Sequence, residues 1–163
     1  MSIVPFFSKF PQQAAAETRS VTVTSYRGVP NGEYAFIEFF CDDPKCDCRR
    51  VILRVIRKDT GPKIWATITF GWEPPEFYRR WTKFPELPGS GAALEPISIQ
   101  SAHAPAILGL FEDVIQKDPA YVERLKRHYA QVKQAAGAKR DFGGRTVPQA
   151  RSKPSGRYAW LMR

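Results

Sequence analysis

The chain predicts an α+β fold: an antiparallel β-meander of about four strands packed by two C-terminal helices, with an irregular basic tail. Three observations point there. Between residues 21 and 70, apolar runs of strand character alternate with turn signals. From Ala104 onward the apolar residues change to helical spacing. Past Gly137 periodicity stops and cations concentrate. The division that follows is an irregular N-terminal arm over 1–19, one domain over 20–136, and a Gly/Pro-rich basic tail over 137–163.

The elements can be taken in order. The opening MSIVPFFSKFPQQAAA ends in alanines but lacks a basic start, and Pro5, Lys9 and Pro11 interrupt its apolar run. It therefore reads as a loose arm and not as a signal peptide. Val21 to Arg27 alternates valine with threonine, the period of a half-buried strand. Tyr34 to Cys41 and Arg50 to Arg57 are aromatic and β-branched, and Ile64 to Phe70 alternates again. The turns between them are Gly28–Gly32, the segment after Cys41, and Asp59–Pro62.

For the middle hairpin, Ala35, Ile37, Phe39 and Cys41 are taken as one strand's core face, and Val51, Leu53 and Val55 as the other's. Matching faces pairs Phe39 with Val51 and Ile37 with Leu53. Glu38 then lies on the far face, diagonal to Arg50 and Arg54.

Pro74–Lys83 suits a short helix carrying Phe77 and Trp81, and 84–100 reads as a long loop. Ala104 to Lys117 places Ile107, Leu108, Phe111, Val114 and Ile115 at helical spacing. Asp118 is a favourable N-cap and Pro119 suits the first position of a last helix. That helix carries Tyr121, Leu125, His128 and Val132 on one stripe.

Hydrophobic content of 43%, with 13% aromatic, belongs to a folded chain and excludes wholesale disorder. No stretch approaches the ~20 apolar residues that span a bilayer, so no membrane partner is expected. The formal charge of +9 suggests an acidic partner, nucleic acid first. Residues 137–163 hold seven cations against the single acid Asp141, a net +6 of that +9. The body is nearly neutral.

All three cysteines fall in CDDPKCDCRR, spaced C-x4-C-x-C at Cys41, Cys46 and Cys48. A hairpin tip gathers such side chains at low entropic cost, and soft thiolates suit zinc at ~2.3 Å in a tetrahedral array. An odd, clustered count without an export signal fits a reducing, cytoplasmic setting, where thiols bind metals or react. The fourth ligand is assigned to His128, on the helix face expected against the sheet. His103, Asp42, Asp43, Asp47 and water are the alternatives. A Cys41–Cys46 disulfide with Cys48 free would instead suit redox chemistry.

No metalloprotease, deaminase, P-loop, dinucleotide or serine-hydrolase motif occurs. The leading expectation is thus a small zinc-stabilised binding protein. It would contact nucleic acid through Lys139, Arg140, Arg145, Arg151, Lys153 and Arg157, with Tyr158 and Trp160 stacking on bases. The competing expectations are a thiol- or metal-dependent enzyme using the cysteine loop, and a module docking on a protein through its YAWLM segment.

Overall fold

A computed structural model describes residues 2–80 and 89–141, with the backbone alone for 138–141. It shows the expected α+β architecture, an antiparallel meander packed by C-terminal helices. The strands are β1 (Ile3–Pro5), β2 (Arg19–Val23), β3 (Gly32–Cys41), β4 (Arg50–Arg57), β5 (Ile64–Gly71) and β6 (Gly91–Leu94). The helices are α1 (Phe6–Lys9), α2 (Pro11–Glu17), α3 (Pro75–Arg79), α4 (Ala104–Leu110) and α5 (Pro119–Asp141). A π-helical turn, Phe111–Ile115, extends α4.

The sheet runs β1-β3-β4-β5-β6, and β2 shares an edge of β3 with β1. β1 pairs the end of β3 from Ile3↔Cys41 to Pro5↔Phe39. β2 pairs its beginning from Arg19↔Phe36 to Val23↔Gly32. Ile37 and Glu38 fall between these two ladders. There α1 and α2 close the edge, packing Phe6 and Ala14 into the core. The N-terminal segment is therefore not irregular, as its prolines suggest. Pro5 caps α1 and Pro11 opens α2, positions where a missing N–H costs nothing. Helices of 4 and 7 residues do not stand alone in water, so tertiary packing holds them.

Among the described residues six strands replace the expected four, because β1 and β6 are short edge strands in Pro- or Gly-rich sequence. β6 lies inside the segment read as a loop, and Gln100 and Ser101 continue its edge by bonding the backbone of Thr67 and Trp65.

The hairpin register differs from the expectation by one residue: Phe39 faces Ile52, Glu38 faces Leu53 and Ile37 faces Arg54. A one-residue slip reverses every side chain of β3. The core face is Tyr34, Phe36, Glu38 and Phe40, packed with Val51, Leu53 and Val55. Three large rings outweigh the small cluster of Ala35, Ile37 and Ile56 on the opposite face. Arg50 and Arg54 consequently do not meet Glu38; they stack over Tyr78 and Phe39.

The last helix is as expected at its start. Asp118 Oδ1 accepts from the N–H groups of Ala120 and Tyr121 at 3.1 and 3.3 Å. Tyr121, Leu125, His128 and Val132 are all fully buried. α5 continues beyond residue 136 to Asp141, so Lys139 and Arg140 stand on its final turns rather than in an irregular tail. Arg145, Arg151, Lys153, Arg157, Tyr158, Trp160 and, upstream, Trp81 lie outside the described residues. No described helix is long and apolar enough to cross a membrane.

Candidate metal centre

The tip between β3 and β4 is built from Cys41 at the end of one strand and a tight polar turn leading into the other. Cys46 N–H bonds back to Asp43 O at 3.1 Å, and Lys45 N–H to Asp43 Oδ1 at 3.0 Å. These local bonds turn the chain at Pro44 without a glycine. Arg49 then takes a left-handed conformation, φ +44°, which costs a non-glycine residue roughly 1–2 kcal/mol. Its guanidinium grips Asp47 through two bonds of 2.9 Å and reaches Glu73 at 3.2 Å. The backbone reversal lets Arg50 N–H bond Cys48 Sγ. A bent backbone thus presents a sulfur and supplies an N–H to it.

The result is convergence. The sulfurs of Cys41, Cys46 and Cys48 all lie within 4.8 Å of one another. Tetrahedral coordination with ~2.3 Å bonds needs sulfurs roughly 3.8 Å apart, so a small inward adjustment closes them on one ion. Cys41 is buried, Cys46 and Cys48 are half-buried, and none is disulfide-bonded. Three cysteines so placed can hold a metal ion.

In the metal-free protein the surroundings of Cys46 and Cys48 favour the protonated thiol. Burial pushes the Cys46 thiol up to about 12, and the neighbouring Cys48 and Cys41 add to the rise. Burial also raises Cys48, against the pull of the Lys133 ammonium. A divalent cation reverses this balance, because it stabilises the thiolates that crowding disfavours.

Helix α5 supports the tip through residues the sequence reading missed. Tyr129 Oη accepts the Arg49 N–H at 3.3 Å and lies 3.5 Å from both Cys46 O and Asp47 Oδ1. Lys133 Nζ donates to Asp43 O at 2.7 Å, its chain passing over the Tyr129 ring. The Tyr129 ring packs edge-on against Phe40 and Trp72. On the other side, Tyr78 Oη donates to Arg49 O at 2.7 Å and accepts Glu73 N–H at 3.2 Å. The spacing of Tyr129 and Lys133 on an amphipathic helix is the one sequence signal for this face.

His128 does not join the cysteines. It is 1% exposed, and its Nδ1 and Nε2 each lie 2.6 Å from a carboxylate oxygen, of Glu38 and Glu17 respectively. Both ring nitrogens are engaged by carboxylates and the residue lies outside the cysteine cluster, so its assignment as fourth ligand is corrected. Phe6 stacks on the imidazole at 4.0 Å and 12°. Arg127 closes the outer side by pairing with Glu17 at 2.8 Å. The inward orientation of Glu38, concealed by the register error, creates this buried cluster. Its second oxygen, Oε1, is buried without a partner beside a cavity with room for about one water.

His103 is also elsewhere. Its Nδ1 is 3.0 Å from Gly28 O and its ring stacks on Trp65. Comparison with known proteins supplies no relative for this arrangement: no family model, curated protein or solved structure matches the chain.

Proposed function

We propose that the chain is a metal-stabilised binding protein in which zinc, held by Cys41, Cys46 and Cys48, closes the β3–β4 tip, and that nucleic acid is its partner. The observation that carries the metal reading is the convergence of the three sulfurs on a tip already tied to α5 by Tyr129 and Lys133. Zinc suits three thiolate donors better than a hard oxygen-seeking cation does. The thiol-enzyme alternative has less support. A reactive cysteine needs a lowered pKa, and burial and mutual repulsion raise these.

The nucleic-acid reading rests on the net +9 and the seven cations of residues 137–163. One preparation tests both halves. Purified protein should carry about one zinc per chain, and its thiols should react only after chelation. Binding to single-stranded DNA or RNA should weaken steeply with salt, and removing residues 142–163 should flatten the slope by several units, at ~0.7 per lost phosphate contact. Absence of zinc would sink the metal reading. Absence of affinity at low salt would sink the nucleic-acid reading and turn attention to protein docking through YAWLM.

A further inference from the structure

Resting on the metal reading above, we propose that the Cys41–Cys46–Cys48 site supplies only three protein ligands. Its fourth position is open to solvent, exchangeable for one nitrogen or sulfur donor from a small molecule.

The donor inventory leads there. The whole chain has three cysteines and two histidines, so nothing outside the described residues can add either. His128 has both nitrogens bound to carboxylates. His103 stacks on Trp65, near the start of β5, whereas the tip adjoins Gly71 at its end, paired with Arg50. Six residues of strand separate the two by roughly 20 Å. Among the described residues no carboxylate oxygen joins the three sulfurs within 4.8 Å. Asp42, Asp43 and Asp47 flank the cysteines in sequence but none joins them: Asp47 is gripped by both arms of Arg49, and Asp43 Oδ1 accepts the Lys45 N–H.

Exposure and charge agree with an open position. Cys46 and Cys48 are half-buried residues, so the tip is not sealed into the core. Three thiolates on a divalent ion leave one negative charge. The ammonium of Lys133, bonded to the same loop, balances it when the fourth donor is neutral. The arrangement then resembles catalytic zinc sites, where three protein ligands leave one position for water or substrate, more than closed structural ones. Sulfur and nitrogen donors match the softness of such an ion.

The test is cobalt substitution of the full chain, with visible ligand-field bands as readout. Titration with imidazole, and separately with 2-mercaptoethanol, should shift the bands saturably while cobalt stays bound. The His103→Ala and His128→Gln variants should respond alike. Lys133→Met should retain cobalt and weaken the thiol response several-fold relative to imidazole. Bands unmoved at saturating donor, with cobalt retained, would show a protein group in the fourth position and overturn the proposal while leaving metal binding intact. Release of cobalt on titration would overturn it equally, as displacement. A protein that takes up neither cobalt nor zinc would overturn the metal reading itself, and this inference with it.

Discussion

His128 and Tyr129 are adjacent on α5, yet each serves a different cluster of ionisable groups. The first faces Glu17 and Glu38 and the second the cysteine tip. The imidazole of His128 is fully partnered by protein atoms. Its two ring nitrogens each lie 2.6 Å from a carboxylate oxygen, one of Glu38 and one of Glu17. The cysteine cluster is the reverse: three like groups converge, and burial together with the neighbouring Cys48 and Cys41 disfavours ionisation of Cys46. One region holds the fold by internal hydrogen bonding, and the other has the geometry to take a metal ion. Residues of metal-binding type therefore do not by themselves mark a metal site; what decides is whether their polar atoms already have partners.

The comparison breaks most visibly on metal content. Cys46→Ser should abolish stoichiometric zinc and cost several kcal/mol in denaturant unfolding, since the binding free energy of such a site is folding free energy. Chelation of the wild type should reproduce most of that loss. His128→Ala should also destabilise, by about 3–5 kcal/mol, because it strands buried Glu38 without its partner. It should nevertheless keep a full zinc equivalent. Loss of zinc in the His128 variant, with the fold retained, would make the histidine a ligand and erase the distinction.

A medium-sized effect lies in the pH dependence, where the two clusters act on opposite limbs. Burial pushes the Glu17 carboxyl up, but hydrogen bonds from His128, Gln13 and Arg127 outweigh it and hold the group below the usual range. A lowered carboxyl contributes stability that is present above the unfolded value, ~4.3, and lost as pH falls through the folded one. Glu17→Gln should therefore flatten the acid limb below about pH 4. Cys46 is raised to about 12, so the metal-free protein keeps that contribution below the unfolded thiol value and loses it as pH climbs. The window is ~8.5 to 12. Zinc-loaded protein, with thiolates already formed, should lack the alkaline limb. An identical alkaline limb with and without zinc would mean that the metal sits elsewhere.

What the sequence made legible follows from how local each signal is. β3, β4 and β5 were found because their apolar runs are bounded by turns, and the α5 stripe because four buried residues repeat at helical spacing. The cysteine cluster was legible because its members lie within eight residues of one another. Glu38 falls on the wrong face in the sequence reading because Ala35, Ile37, Phe39 and Cys41 alternate as an apolar face as readily as Tyr34, Phe36 and Phe40 do. Its partner His128 is 90 residues away, and no periodicity reports that pairing. α1 and α2 were missed for a related reason: too short for propensity to reveal, they exist where two ladders on β3 leave a gap.

The smallest effect is also the finest discriminator. Tyr129 joins the helix to the tip through one hydroxyl, which accepts the N–H of the strained Arg49. Tyr129→Phe keeps the ring against Phe40 and Trp72 but leaves that N–H without its partner. The cost should be about 0.5–1.5 kcal/mol, the usual net worth of such a bond. Zinc stoichiometry should stay at one per chain, because no sulfur moves away. Zinc release to a chelator should quicken several-fold, because the loop carrying Cys46 and Cys48 is less firmly held. The neighbouring change, Arg127→Ala, removes a largely exposed partner of Glu17 and should cost no more. It should leave zinc release untouched. If both variants altered zinc release equally, α5 would couple the two clusters into one unit; if only Tyr129→Phe did, they remain separate devices on adjacent residues of one helix.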